Sequence, residues 1–299
     1  VAQDVRAAAP ATAGARRRTQ GGVNRWLIVP AVLFIFTFLF VPYLNMVRMS
    51  FLFRPPGGSI TNIVTLANYQ KVLADGFYWA ILRNTFLYAM IATAITLLLG
   101  YPLALAIARA RPRWRPFMLA MLISPLLVGI VVRSYGWMII LGQVGIVNQF
   151  LKAVGIGELP LMYNVFGTIV GLVHIFMPFM ALSIAGALQG ISPDVERAAR
   201  SLGASPWRTF WRVTWPLSLP GVFAGTLLVF VLSVSAYVIP ILLGGSNVLV
   251  TPMLIVQQLL DAFNWPLGSA LAMVMFGFTA VLLWVYVKVM NRALRWAQR

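Results

Sequence analysis

The chain has 299 residues, of which 61% are hydrophobic and 10% charged, with a formal net charge of +17 and no cysteine. A soluble domain carries about 25% charged residues, so this composition excludes an ordinary water-soluble fold and points to the bilayer as solvent. The missing cysteines exclude disulfides, thiolate metal sites and cysteine nucleophiles, and the single histidine, His174, cannot build a multi-histidine metal centre.

In chain order, residues 1–25 are rich in Ala, Arg, Gly and Thr without an apolar core, and read as a flexible cytoplasmic tail. The apolar run that follows is too long for a cleaved signal peptide and reads as a retained span. A helix rises 1.5 Å per residue, so about 20 apolar residues cross the hydrocarbon layer. Six stretches qualify: residues 26–49, 80–108, 117–141, 165–188, 221–243 and 267–290, with 291–299 as a C-terminal tail. The expected fold is therefore an all-α polytopic membrane protein. Pro125, Arg133 and Ser134 interrupt the third stretch, and Pro240 lies near the far end of the fifth. Loops 142–164 and 244–266 each hold a short helical piece expected to lie in the interface, anchored by Tyr163 and Trp265.

The basic residues fall in short clusters between the apolar runs, which argues for membrane topology and against a nucleic-acid surface. With the N-terminus inside, 17 of the 23 Lys and Arg lie on the inner side and 5 on the outer. This bias predicts that both termini of a multi-pass chain are cytoplasmic.

The inner segment 189–219 predicts two short helices. Ser192 is a suitable N-cap and Pro193 a suitable first residue, and Asp194 and Glu196 favour the first turn. Gly203 stands where a left-handed cap would end the helix, and Ser205 and Pro206 restart the pattern. Trp207, Phe210 and Trp211 then crowd five residues of a loop expected to face water. An aromatic, arginine-rich surface of this kind is what a docking site for another protein presents.

The stretch ERAARSLGASPWRTFWRVTWPLSLPGV resembles the EAA loop of binding-protein-dependent ABC importer permeases, with Ala198, Ala199, Gly203, Phe210, Val213, Pro216, Pro220 and Gly221 on the motif. The motif's glutamate falls on Arg197, while Glu196 precedes it. The segments LANYQKVL, VVRSYGWMIILGQVGIVN, MYNVFGTIVGLVHIFMPFM and NWPLGSALAMV resemble the branch that includes spermidine/putrescine permeases. The resemblance implies a type I importer permease fold. It implies assembly with a second homologous permease, two ATP-binding-cassette ATPases and a periplasmic binding protein. ATP and Mg would act in the ATPase, with no cofactor, metal or catalytic residue in this chain. It also implies that Glu196, Arg197, Ala198, Ala199, Gly203, Ala204, Trp207, Phe210 and Val213 form the loop that couples to the ATPase.

Polar residues near the spans mark a candidate pathway: Arg133, Tyr135, Trp137, His174 and Asp261. A charge at mid-span costs at least about 2.5 kcal/mol on insertion scales, so Arg133 must face protein or a water-filled cavity. Pairing with carbonyls and lining of the pathway are both open to it. His174 is either a core histidine satisfied by its neighbours or a pathway contact. Asp261 is either a surface charge or an attractor for a cationic substrate or a binding-protein residue. Tyr135 and Trp137 cannot both share one helical face with Arg133. The rival reading is an ion-coupled secondary transporter. It is weakened because all six acids, Asp4, Asp75, Glu158, Asp194, Glu196 and Asp261, fall outside the expected spans. The chain has no Gly-Lys pair for a phosphate-binding loop, so ATP chemistry would come from a partner.

Overall fold

The structure is a computed structural model that describes residues 25–55 and 57–297. The expected tail, apart from Arg25, and Asp4 with it, lie outside the described residues. Two units are distinguished, residues 1–46 and 47–299. The first holds most of helix α1 (Arg25–Ser50), whose stretch 29–44 is apolar on every side but for Thr37.

The second unit begins with a small antiparallel hairpin, β1 (Leu52–Phe53) and β2 (Thr61–Val64), pairing Leu52 with Val64. Helix α2 (Ala67–Ala74) leads into α3 (Gly76–Arg109), whose first turn is capped by the Asp75 carboxylate accepting from Phe77 N at 2.9 Å. Next come α4 (Arg115–Ile123), a 3₁₀ turn (Ser124–Leu127), α5 (Ile130–Leu141), α6 (Ile146–Ala153) and α7 (Val165–Gln189). The polar loop follows as α8 (Pro193–Ser201) and α9 (Pro206–Thr209), joined through a π-helical turn (Phe210–Thr214) to α10 (Trp215–Val234). A broken pair comes after it: a π turn (Pro240–Gly244) with a 3₁₀ turn, then α11 (Thr251–Val256) ending in a further π turn (Gln257–Asp261). Helix α12 (Trp265–Ala297) closes the described chain.

Helices α3, α7 and α10 pack as a central trio, with Leu172, Ile175, Met180 and Ile184 of α7 buried in it. Close approach is made possible by Gly221 and Gly225, four residues apart on α10. A Cβ at Gly221 would stand 2.7 Å from Ser183 O, and one at Gly225 2.9 Å from Met180 Sδ. Small residues at this spacing let backbones approach in a medium where hydrophobic burial cannot drive helix association.

Among the described residues, six helical segments are long and apolar enough to cross a membrane: Val29–Ser50, Gly76–Arg109, Ile130–Ala153, Val165–Gln189, Pro206–Val234 and Trp265–Leu294, with the broken pair as a seventh if it is counted as one span. Two expected spans are corrected in shape. Stretch 117–141 is not one helix. Pro125 turns the chain into a 3₁₀ segment, Val128 is extended, and helix resumes only after Gly129. Helix α5 alone has 12 residues, about 18 Å, so the long candidate extends through α6. The fifth stretch begins before residue 221 and stops at Val234. The Pro240 ring would clash with the carbonyl of Ala236 in a continuing helix, and the Ser235 hydroxyl donates to the Val231 carbonyl at 3.0 Å, satisfying the frayed end. Loop 244–266 holds the short helix expected of it, α11. It belongs to the broken pair, bent by 89°, with Val250, Thr251, Pro252 and Leu254 buried in protein. The α11 end is anchored by α3: the Thr251 backbone N–H donates to Thr85 Oγ1 at 2.8 Å, and the Thr85 hydroxyl bonds to Ile81 O at 2.8 Å.

Candidate functional site

The α8–α9 hairpin forms as its sequence dictates. The Ser192 hydroxyl accepts from Asp194 N at 3.3 Å, and the Ser205 hydroxyl caps the second helix by accepting from Arg208 N at 3.3 Å. At the turn Gly203 has φ +84°. Its N–H donates to Arg200 O at 2.9 Å, and Ala204 N–H donates to Ala199 O at 3.1 Å. That pair of bonds is the Schellman closure of a helix end, which requires the left-handed residue that glycine supplies without strain. No atom lies within 4 Å of where a Cβ at Gly203 would stand, so the turn itself, and not crowding, is what selects glycine.

The aromatic residues of the hairpin split into two sets. Trp207 is 71% exposed and Leu202 89%, and Trp211 is also exposed. Trp207, Trp211 and Trp215 form a ladder with ring centroids 5.6 Å apart at each step. Phe210, expected on the docking surface, turns inward instead. Its ring meets Tyr101 edge-on at 5.7 Å and packs against the core, because the π turn rotates it toward α3. Val213 is half-buried, Ala199 and Ala204 likewise, and Ala198 is exposed.

Glu196 is also turned inward, with its side chain only 17% exposed. Its carboxylate accepts from the Arg109 guanidinium at the end of α3 and from the Thr214 hydroxyl at 2.7 Å. Tyr101 OH and Ser218 Oγ pair at 2.9 Å one layer deeper. Arg109, Thr214, Tyr101 and Ser218 were not singled out from the sequence. Arg109 looked like one more positive charge flanking a span, and its partner 87 residues away leaves no local pattern. Arg197, in the motif's glutamate position, is exposed and pairs with Asp194 at 2.9 Å.

Within the bundle the structure brings together three of the five pathway candidates. Arg133 and Trp137 share a face of α5, and Trp137 meets His174 of α7 edge-on at 5.3 Å. Arg133 Nε and Nη1 and His174 Nδ1 are buried and have no hydrogen-bond partner among the described residues. Of the readings left open for Arg133 and His174, pairing with carbonyls or helix neighbours does not account for these three atoms. Tyr135 points elsewhere. It is 52% exposed and lines an open groove of about 580 Å³ with Met138, Leu159 and Tyr163. Asp261 is apart from all of these. It is exposed and in no ion pair among the described residues, next to Ala262, whose carbonyl accepts from Arg54 at 2.8 Å.

An apolar multi-helix bundle with a capped polar hairpin tied to the ends of two spans defines the membrane-spanning component of a transport system. The chain belongs to the family described as binding-protein-dependent transport system inner membrane component, whose model matches residues 76–296. It is 33% identical over 271 residues to the spermidine/putrescine transport system permease protein PotB of Escherichia coli strain K12, covering 89% of this chain and 98% of that protein. The PotB of Haemophilus influenzae is 34% identical over 272 residues, covering 89% and 95%. Among solved structures, a chain of a bacterial ABC transporter involved in the import of the acidic polysaccharide alginate superposes with a TM-score of 0.72 at 17% identity, covering 90% of this chain and 94% of that one. A chain of a bacterial alginate ABC transporter in complex with an alginate pentasaccharide-bound periplasmic protein gives 0.69 at 17% identity, covering 90% and 92%. The fold is thus that of a type I ABC importer permease, and the chain is a multi-pass permease subunit.

Proposed function

We propose that this permease forms half of the translocation pathway of an importer for a polyamine or a related small amine. The single observation carrying the substrate reading is the match of 89% of the chain to spermidine/putrescine permeases. In this reading a periplasmic protein delivers the solute, and a second homologous permease supplies the other half of the pathway. Two ATPase subunits bind ATP and Mg on the cytoplasmic side. Their closure moves the α8–α9 hairpin, and the hairpin pulls on α3 and α10 through Glu196, Arg109 and Thr214. Both termini are cytoplasmic in this arrangement, as the distribution of Lys and Arg supports. Of the described acids none lies within the six candidate spans, so nothing favours the ion-coupled alternative.

The test is reconstitution of the permease with its own system's ATPase and binding protein in vesicles. ATP-dependent accumulation of labelled spermidine, competed by putrescine, is the expected result. Hydrolysis stimulated by another solute and by no polyamine would overturn the substrate. Uptake that ignores ATP and collapses with an ionophore would overturn the importer. Topology is checked separately in this cysteine-free chain. Ala153→Cys and Ser246→Cys should react with an impermeant thiol reagent added outside, and Arg113→Cys and Ser201→Cys only after permeabilisation.

A further inference from the structure

The α8–α9 hairpin is more basic at its surface than its sequence suggests. Two carboxylates and four arginines, Arg197, Arg200, Arg208 and Arg212, lie between residues 193 and 214. Glu196 is withdrawn from that surface, because its carboxylate is held by Arg109 and Thr214 on the span side. Asp194 is engaged by Arg197. Arg200, Arg208 and Arg212 remain exposed, and none forms an ion pair among the described residues. They share the hairpin with Trp207 and Leu202, its most exposed large apolar side chains.

We infer that the cleft receiving this hairpin is acidic. The ATPase subunit meets Arg200, Arg208 and Arg212 with aspartate or glutamate side chains around an apolar pocket for Trp207 and Leu202. This rests on the coupling reading proposed above and adds the chemistry of the partner. An arginine desolvated against a neutral or basic wall loses its hydration without compensation, whereas opposed charges fix register and exclude wrong partners. The hairpin cannot soften its own charge. The carboxylate that could have done so, Glu196, is committed to Arg109 of α3 and to Thr214 of the π turn. A rigidly capped hairpin with apolar side chains among its arginines suits a shaped protein cleft better than mobile lipid headgroups, which require no fixed geometry.

The experiment purifies the whole transporter through a tagged permease and quantifies the co-purified ATPase, identified by its phosphate-binding loop. Permease abundance and size-exclusion profile serve as the folding control. The double charge reversal Arg200→Glu with Arg208→Glu should lower ATPase recovery by about tenfold or more, and the glutamine pair should lower it less. Reversing a cleft carboxylate of the ATPase to lysine should restore recovery with the reversed permease. Raising salt to about 0.5 M should weaken the wild-type complex, since exposed charges are screened over short distances. Full recovery of the ATPase by the charge-reversed permease would overturn the inference, as would a loss that no carboxylate-to-lysine change in the cleft rescues. Loss that follows removal of anionic lipid instead of charge reversal would overturn it too. Gly203→Val separates the two layers. If it sheds the ATPase while charge reversal does not, the acidic cleft alone fails; if neither sheds it, the coupling reading fails as well.

Discussion

Among the described residues, no buried side-chain polar atom at the α8–α9 hairpin lacks a partner: Glu196 is held by Arg109 and Thr214, and Tyr101 by Ser218. In the bundle, Arg133 Nε and Nη1 and His174 Nδ1 are buried among the described residues with none. Both regions place an arginine beside a span, yet one is a closed network and the other is open. A closed network holds one geometry and transmits force. An open one in a low-dielectric setting is costly, and is kept where water or a passing solute completes it. The difference separates a rigid lever from a surface that something must visit.

The sharpest way to break the lever half of this comparison is Gly203→Val. A left-handed residue other than glycine costs about 1–2 kcal/mol, and β-branching adds to that. The second helix of the hairpin should swing away while the spans insert normally. The expected outcome is wild-type membrane abundance with loss of substrate-stimulated ATP hydrolysis and of uptake. Normal stimulated hydrolysis by the purified complex would remove the lever assignment.

Arg133→Leu probes the open half. Removing a buried unpaired charge relieves a cost of at least about 2.5 kcal/mol on insertion scales. The purified variant should therefore melt at a higher temperature than wild type, yet transport several-fold more slowly. Lower stability with normal transport would mean that Arg133 is a packing residue. Wild-type values of both would mean that it matters to neither.

Glu196→Gln should give the smallest change. It keeps an acceptor for Thr214 but loses the charge facing Arg109, whose side chain is 44% exposed and screened by water. The expected loss is about 1 kcal/mol or less, read as a small drop in melting temperature, together with a lower ratio of transport to hydrolysis. An unchanged ratio would show that force does not pass through this carboxylate.

Much of the molecule could be read from its residues, and the misses share a cause. The existence of α3, α7 and α12 follows from runs of apolar residues, although α12 runs on to Ala297 through the tail expected from residue 291, and the hairpin's caps at Ser192, Gly203 and Ser205 follow from local turn chemistry. Both are encoded within a few positions. The break after Ile123 and the end of α10 at Val234 depend on how Pro125 and Pro240 are accommodated, which a hydropathy pattern does not resolve. The inward rotation of Phe210 depends on one π turn, and a single extra residue per turn changes which side chain faces the core. Glu196 looked available for a partner because its own partners lie on α3 and at Thr214, where only tertiary structure can place them. Arg133 and Trp137 could be put on one face by their spacing of four, but the arrival of His174 beside them could not.

The bond from the Thr251 amide to Thr85 also bears on how the chain is made. The two residues are 166 positions apart, so α3 has left the ribosome long before its dependent appears. Until Thr251 reaches Thr85, the first N–H of α11 lacks the acceptor it has in the folded chain, and a buried donor left without one is costly. The broken pair therefore settles after α3, α7 and α10 have been made, and its resistance to protease should lag behind theirs during synthesis.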